Sequence, residues 1–247
     1  LSGGQAAVLS LKKEKVKQVF GLIGSATMEM FDALYHEKEI KFIGVRDERT
    51  GTHMADGYAR ASNNPGVILA GQNGPGATNL VTGIAQAKAA FSPVIALAGS
   101  YSTKDKMEDA FQGLDQQSLF KPITKKTWTI NKVKNIPKTL SNAFKLAMEP
   151  RRGPVCVNLP RNILAETAKF ETDEGIKSYK NENKSRGKGY QIKKTVSIIL
   201  RSKKPVIVAG GGIKYTSKYQ DVINLAELLN IPIVTAAGHG DAIPFNH

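Results

Sequence analysis

The feature that most constrains this chain is a rhythm. Short apolar runs rich in β-branched residues alternate with stretches of helical periodicity through its first 165 residues. Apolar runs of that kind suit strands buried on both faces, which requires a mostly parallel sheet with crossover helices packed on either side. The periodicity predicts helices over residues 5–17, 26–35, 50–62, 77–90 and 136–148, and strands over 18–23, 41–45, 67–70, 93–98 and 154–159. Residues 99–126 read as irregular. Five or six β-α units are enough for a complete doubly wound α/β domain over residues 1–165.

The character changes at residues 166–189, which are polar and rich in Lys, Asn, Glu and Ser, as expected of an interdomain linker. A new unit occupies residues 190–247: a helix over 193–202, a strand over 205–209, glycines at 210, 211 and 212, a helix over 219–229 and a strand over 232–235. Two strands and two helices cannot bury both faces of a sheet. The second, Rossmann-like α/β domain is therefore expected to be truncated.

Charge raises the question of nucleic acid, since the formal net charge is +14. Its distribution argues otherwise. Between residues 176 and 204, ten Lys or Arg stand against Glu182, so this one segment carries nine of the fourteen charges. A basic run without an aromatic ladder or a nucleic-acid motif reads as a solvated linker. No run approaches the ~18 apolar residues that a membrane span requires, and no export signal is legible. Cys156 is the only cysteine, which excludes an intrachain disulfide and a thiolate metal cluster and suits a reducing cytoplasm.

Two stretches carry candidate chemistry. The segment VRDERTGTHMADGYARA, residues 45–61, places Glu48 just past an apolar strand and just before a small-residue helix. A carboxylate in an apolar crevice has its ionised form disfavoured, which suits it to share a proton with a ring nitrogen. Most glutamates, however, are plain surface acids. The turn GQNGPGATN, residues 71–79, follows the next strand, and Gly74 and Gly76 around Pro75 let backbone approach a flat ligand closely. By spacing alone it fits a ligand site and a structural corner equally well. The glycines at 210–212 lack the GxGxxG spacing and no acid ends the following strand, so a dinucleotide fingerprint is disfavoured. His53 belongs to no cluster at metal-ligand spacing, and no GxSxG elbow is present.

Taken together, these stretches resemble the thiamine-diphosphate-dependent enzymes of the acetolactate synthase group. The resemblance runs through VFGLIGS (19–25), the Glu48 segment, GQNGPGATNLVTGIAQA (71–87), DAFQGLDQQSLFKPITK (109–125) and RRGPVCVNLPRNI (151–163). It continues in KKPVIVAGGGI (203–213) and AELLNIPIVTAAGHGDAIP (226–244). It implies a pyrimidine-binding domain followed by part of a central domain. It also implies that Glu48 hydrogen-bonds the aminopyrimidine ring of thiamine diphosphate and drives proton removal from thiazolium C2. Gly74, Pro75, Gly76 and Asn79 would line the pyrimidine pocket. Gln112 and Phe111 would face the reacting centre, where a 2-oxo acid loses carbon dioxide and its two-carbon unit passes to an acceptor. Gly24 would lie beside that centre, and Arg151 matches an arginine that contacts FAD in acetolactate synthases.

The resemblance further implies Mg²⁺, held by a Gly-Asp-Gly…Asn-Asn segment that this sequence does not contain. The diphosphate-binding domain is thus expected to be missing, and the chain alone inactive. In the family the site forms between subunits of a homodimer or homotetramer. The wording GLIGSA and GQNGPG leans toward sulfoacetaldehyde acetyltransferase, while the Ala-Phe-Gln region leans toward acetolactate synthase; glyoxylate carboligase is a further alternative. Asp47 and Arg49 replace the His and Gln that often flank the family glutamate. Asp47 would disfavour and Arg49 favour the ionised form of Glu48. A non-catalytic cofactor- or nucleotide-binding module is the alternative of another class.

Overall fold

A computed structural model describes residues 1–170, 187–216 and 218–247. Much of the expected linker, and the basic run as far as residue 186, lies outside the described residues. The chain divides into two compact units, residues 1–181 and 182–247.

In the first unit the strands are β1 (Gln18–Leu22), β2 (Lys41–Gly44), β3 (Gly66–Ala70), β4 (Val94–Ser100), β5 (Thr127–Thr129) and β6 (Val155–Pro160). Among the described residues they form one sheet in the order β2-β1-β3-β4-β6-β5, every pair parallel. The helices are α1 (Gly3–Lys13), α2 (Met28–His36), α3 (Glu48–Ser62), α4 (Pro75–Asn79), α5 (Val81–Ala89), α6 (Gln116–Phe120), α7 (Ile136–Met148) and α8 (Arg161–Ala165).

Strand alternation divides the core into two layers. Val19, Val67, Leu69, Ile95, Leu97, Val155 and Val157 point to one face, where α1, α2 and α7 cover them with Leu11, Met30, Leu34, Leu140 and Phe144. Phe20, Ile68, Ala70, Val94, Ala96 and Cys156 point to the other, under Ala55 of α3, Ile84 of α5 and Phe120 of α6. The doubly wound, mostly parallel architecture expected from the sequence is therefore present.

Several local expectations are corrected. β5 and α6 fall in or beside the segment read as irregular; β5 is three residues long and pairs with β6 alone, too short to show a period. The helix expected from residue 50 begins at Glu48, because Asp47 caps it by accepting from the Arg49 backbone N–H at 2.8 Å. The helix expected over 5–17 ends at Lys13, where Glu14 caps it and Lys15 turns to φ 61°. Its start is at Gly3, where Ser2 and Gln5 form a reciprocal capping box. The helix expected over 77–90 is two, α4 and α5, meeting at Leu80.

In the second unit, β7 (Ile207–Ala209) and β8 (Ile233–Thr235) pair in parallel. With them stand α9 (Gly189–Arg201), α10 (Gly211–Thr216) and α11 (Tyr219–Leu229). The glycines read as a plain turn thus open α10. The expected Rossmann-like α/β arrangement is otherwise found.

Candidate active site

Strands β1 and β3 are neighbours, and the chain leaves β1 toward β2 but β3 toward β4, in opposite directions along the sheet. The loop after β1 leads to α2 on one face, and the loop after β3 leads to α4 on the other. Ligands of open α/β sheets bind at such a reversal, beyond the carboxyl ends of the strands. Here the two loops touch. A Cβ on Gly24 would stand 2.4 Å from the Gly71 carbonyl carbon, and one on Gly71 would stand 2.2 Å from the Gly24 nitrogen. Ala26 N–H donates to the Gly71 carbonyl at 3.0 Å across the same junction.

Glu48 enters from the amino terminus of α3 and is 4% exposed. The Asn79 Nδ2 of α4 donates to its Oε2 at 2.9 Å. The other oxygen, Oε1, has no hydrogen-bond partner among the described residues and lies where a Cβ on Gly76 would approach it to 3.1 Å. A larger residue than glycine at 76 would therefore crowd the free face of the carboxylate. The positive end of α3 also favours an acid in its first turn. Asp47 and Arg49, expected to compete over Glu48, close on each other: Arg49 Nη2 to Asp47 Oδ2 is 2.9 Å and Nε to Oδ1 is 3.2 Å. The Arg49 guanidinium, and then its backbone N–H, hold the Asp47 carboxyl below the usual aspartate range.

A second layer of the site comes from residues 101–115, between β4 and α6, forty positions away in sequence. Gly74, at φ 57°, makes room for Gln112, whose carbonyl oxygen would stand 2.8 Å from a Cβ there. Gln112 itself has φ 55°. Asn73 Nδ2 donates to the carbonyls of Phe111 at 2.7 Å and Gln112 at 3.0 Å. Gln72 Nε2 donates to Gln112 Oε1 at 2.7 Å. Phe111 is 78% exposed. It lines a cleft of about 340 Å³ together with Gln72, Asn73, Ser100, Tyr101 and Arg161.

The structure thus gathers Gly24, Glu48, Gly74, Pro75, Gly76, Asn79, Phe111 and Gln112 at the carboxyl ends of β1 to β4. Arg151 is elsewhere. It lies between α7 and the amino end of β6, at the opposite edge of this parallel sheet, with its guanidinium 5.3 Å from the Phe91 ring centroid. Gln72 and Asn73, absent from the sequence-based set, are members of the site. Their place inside the glycine turn was the available signal. Among the described residues, no group of three His, Cys, Asp or Glu is placed to hold a metal ion, and no helix is long and apolar enough to cross a membrane.

Two family models match the chain: the thiamine pyrophosphate enzyme N-terminal TPP binding domain over residues 1–119, and the thiamine pyrophosphate enzyme central domain over residues 192–247. The chain belongs to the thiamine pyrophosphate enzymes. It is 39% identical to a probable acetolactate synthase large subunit of Methanococcus aeolicus, over 100% of this chain and 41% of that protein. It is 40% identical to the corresponding protein of Methanocaldococcus jannaschii, over 100% of this chain and 42% of that protein. Acetolactate synthase isozyme 3 large subunit of Escherichia coli is 37% identical, over 100% of this chain and 43% of that protein. The chain therefore spans about two fifths of the length of these relatives. Within this family the resemblance to acetolactate synthase large subunits runs along the whole chain.

Proposed function

We propose that this chain supplies the pyrimidine-binding half of a thiamine diphosphate-dependent 2-oxo acid decarboxylase and carboligase of the acetolactate synthase type. On this reading residues 1–165 form the pyrimidine-binding domain, 166–189 a linker, and 190–247 belong to the central domain. The observation that carries it is Glu48: buried, with Oε2 held by Asn79 and Oε1 left beside the cradle at Gly76. A carboxyl group so placed fits a ring nitrogen that must exchange a proton, and the flat ledge of Gly74, Pro75 and Gly76 fits an aromatic ring. Glu48, Asn79 and the glycine ledge would hold the pyrimidine of thiamine diphosphate, which when bound would supply the nucleophile and the electron sink that 2-oxo acid decarboxylation needs.

The protein's own residues do the rest. Asn79 orients the Glu48 carboxyl by occupying one of its oxygens, so that the other meets the ring nitrogen. Burial strengthens this contact by excluding water. Gln112 stands over the glycine turn as a neutral hydrogen-bonding group beside the reacting atoms. Pyruvate is the proposed donor, and a second 2-oxo acid the proposed acceptor, following the relatives named acetolactate synthase. Mg²⁺ and the diphosphate are assigned to residues outside this chain, and the facing half of the site to a second subunit. The FAD contact that the resemblance gives Arg151 is a separate proposal, since Arg151 lies before β6 and Glu48 beyond the carboxyl end of β2. A reducing compartment such as the cytoplasm suits the single, buried Cys156.

The test is Glu48→Gln in the complete enzyme. Deuterium exchange at C2 of bound cofactor, followed by proton NMR, is expected to slow by about 10²–10⁴-fold with the thermal midpoint unchanged. Exchange at the wild-type rate would remove Glu48 from this role.

A further inference from the structure

We infer that Gln72 is a positioning residue that fixes the polarity of the Gln112 side-chain amide, so that its Nε2, a donor, is the atom offered to the substrate. The inference rests on the proposed reading of the site as one for 2-oxo acids. An amide carries an acceptor at one end and a donor at the other, and which end faces the reacting carbonyl decides whether it helps or opposes the reaction.

The network leaves no choice of orientation, because both its ends are anchored on backbone groups of fixed sense. Ser25 N–H can only donate, and it meets Gln72 at 3.1 Å, so the Gln72 atom there is Oε1; the Ser25 hydroxyl reaches the same oxygen at 3.0 Å. Gln72 must then turn Nε2 toward residue 112, where it finds Gln112 Oε1 at 2.7 Å. The second anchor is independent. The carbonyls of Phe111 and Gln112 can only accept, so Asn73 presents Nδ2 to them and turns Oδ1 toward Gln72 Nε2 at 3.3 Å. Both routes assign a donor to Gln72 at the centre and an acceptor to Gln112 facing it. Gln112 Nε2 is left with no partner among the described residues.

The backbone keeps the same arrangement. Gln112 is held in the left-handed region at φ 55°, directly over Gly74, by the two bonds from Asn73. A carbonyl oxygen that gains negative charge under attack is stabilised by a waiting N–H and repelled by a waiting oxygen. Gln72 thus acts through Gln112 and has no need to touch the substrate.

The experiment uses the complete enzyme with thiamine diphosphate, Mg²⁺ and pyruvate. In Gln72→Glu, the carboxylate still accepts from Ser25 but presents an acceptor to Gln112, whose amide must turn over. Loss of one such donor costs about 10²–10³-fold in kcat, and a fall in kcat/KM of at least ~30-fold is expected at pH 8, with cofactor affinity unchanged. At pH values where the new side chain is protonated it can donate again, so its activity relative to wild type at the same pH should recover. In a Gln112→Ala background the same substitution is expected to cost less than ~2-fold, since coupled residues are not additive. Equal losses in both backgrounds, no loss in either, or a loss indifferent to pH overturns the inference alone. Should Gln72→Glu fail to fold, the cycle is run with Gln72→Met, where additivity with Gln112→Ala again overturns it. A wild-type enzyme inert toward every 2-oxo acid overturns the reading of the site, and this inference with it.

Discussion

The glycine at position 74 allows a sharp test, because the same substitution elsewhere in the chain has the opposite expected sign. Gly74 has φ 57° and ψ −106°, a backbone region costly for L residues by about 1–3 kcal/mol. A Cβ there would also stand 2.8 Å from the Gln112 carbonyl oxygen and 2.9 Å from the Gln112 Cβ. Gln112 cannot simply retreat, since Asn73 holds its carbonyl at 3.0 Å and Gln72 its side chain at 2.7 Å. Relieving the overlap by repacking costs a further ~1–3 kcal/mol. Gly74→Ala is therefore expected to destabilise by about 2–6 kcal/mol, a drop in thermal midpoint of about 4–24 °C for a unit of this size. Gly57 is the control. It lies exposed within α3 with nothing within 4 Å of its added Cβ. There Ala gains helix propensity, about 0.5–1 kcal/mol in favour. Differential scanning calorimetry of both variants beside the wild type decides it. A Gly74→Ala midpoint within 2 °C, on the order of half a kcal/mol, of Gly57→Ala would refute the strain argument.

Other consequences are open to measurement. Because Arg49 lowers the folded carboxyl of Asp47, the stabilisation this pair gives is present above the ordinary aspartate value of 3.8 and is lost as pH falls through the depressed one. In Arg49→Ala, a carbon-13 NMR titration of Asp47 should show the midpoint returning upward toward 3.8, and an unchanged midpoint would contradict the pairing. Burial pushes the Cys156 thiol far above its ordinary range. The native protein is expected to resist a disulfide reagent at pH 8 and to react at one thiol per chain in denaturant; stoichiometric labelling of the native state would show the core to be open.

The alternation of apolar runs with amphipathic stretches was enough to read most of the strands, because each run is long enough to show its own period. β5 escaped for want of length: Thr127, Trp128 and Thr129 become a strand through the edge of β6. The first turn of α3 escapes the apolar periodicity because Asp47 reads as a charge beside Glu48, whereas its first task is to cap the helix. Glu48 and the glycine turn become legible as chemistry only through the family resemblance, because by spacing alone an acid and a glycine corner at strand ends fit a structural role as well. Arg151 belongs to a separate expectation, an FAD contact, and the parallel sheet keeps it apart from Glu48, since residues before a strand and residues after one lie at opposite ends of it.

By itself the sequence determined the α/β class, the two-unit plan and the thiamine pyrophosphate family, and it singled out the acid at position 48 as a candidate. These rest on local periodicity and on short motifs whose members are near neighbours. The tertiary structure alone decided that β1 lies between β2 and β3, which opens the crevice. It also decided that Asn79 takes one oxygen of Glu48, and that Gln72 and Asn73 grip a loop forty positions away. Such contacts depend on strand order and crossover geometry, and no period along the chain records which distant amide will meet which.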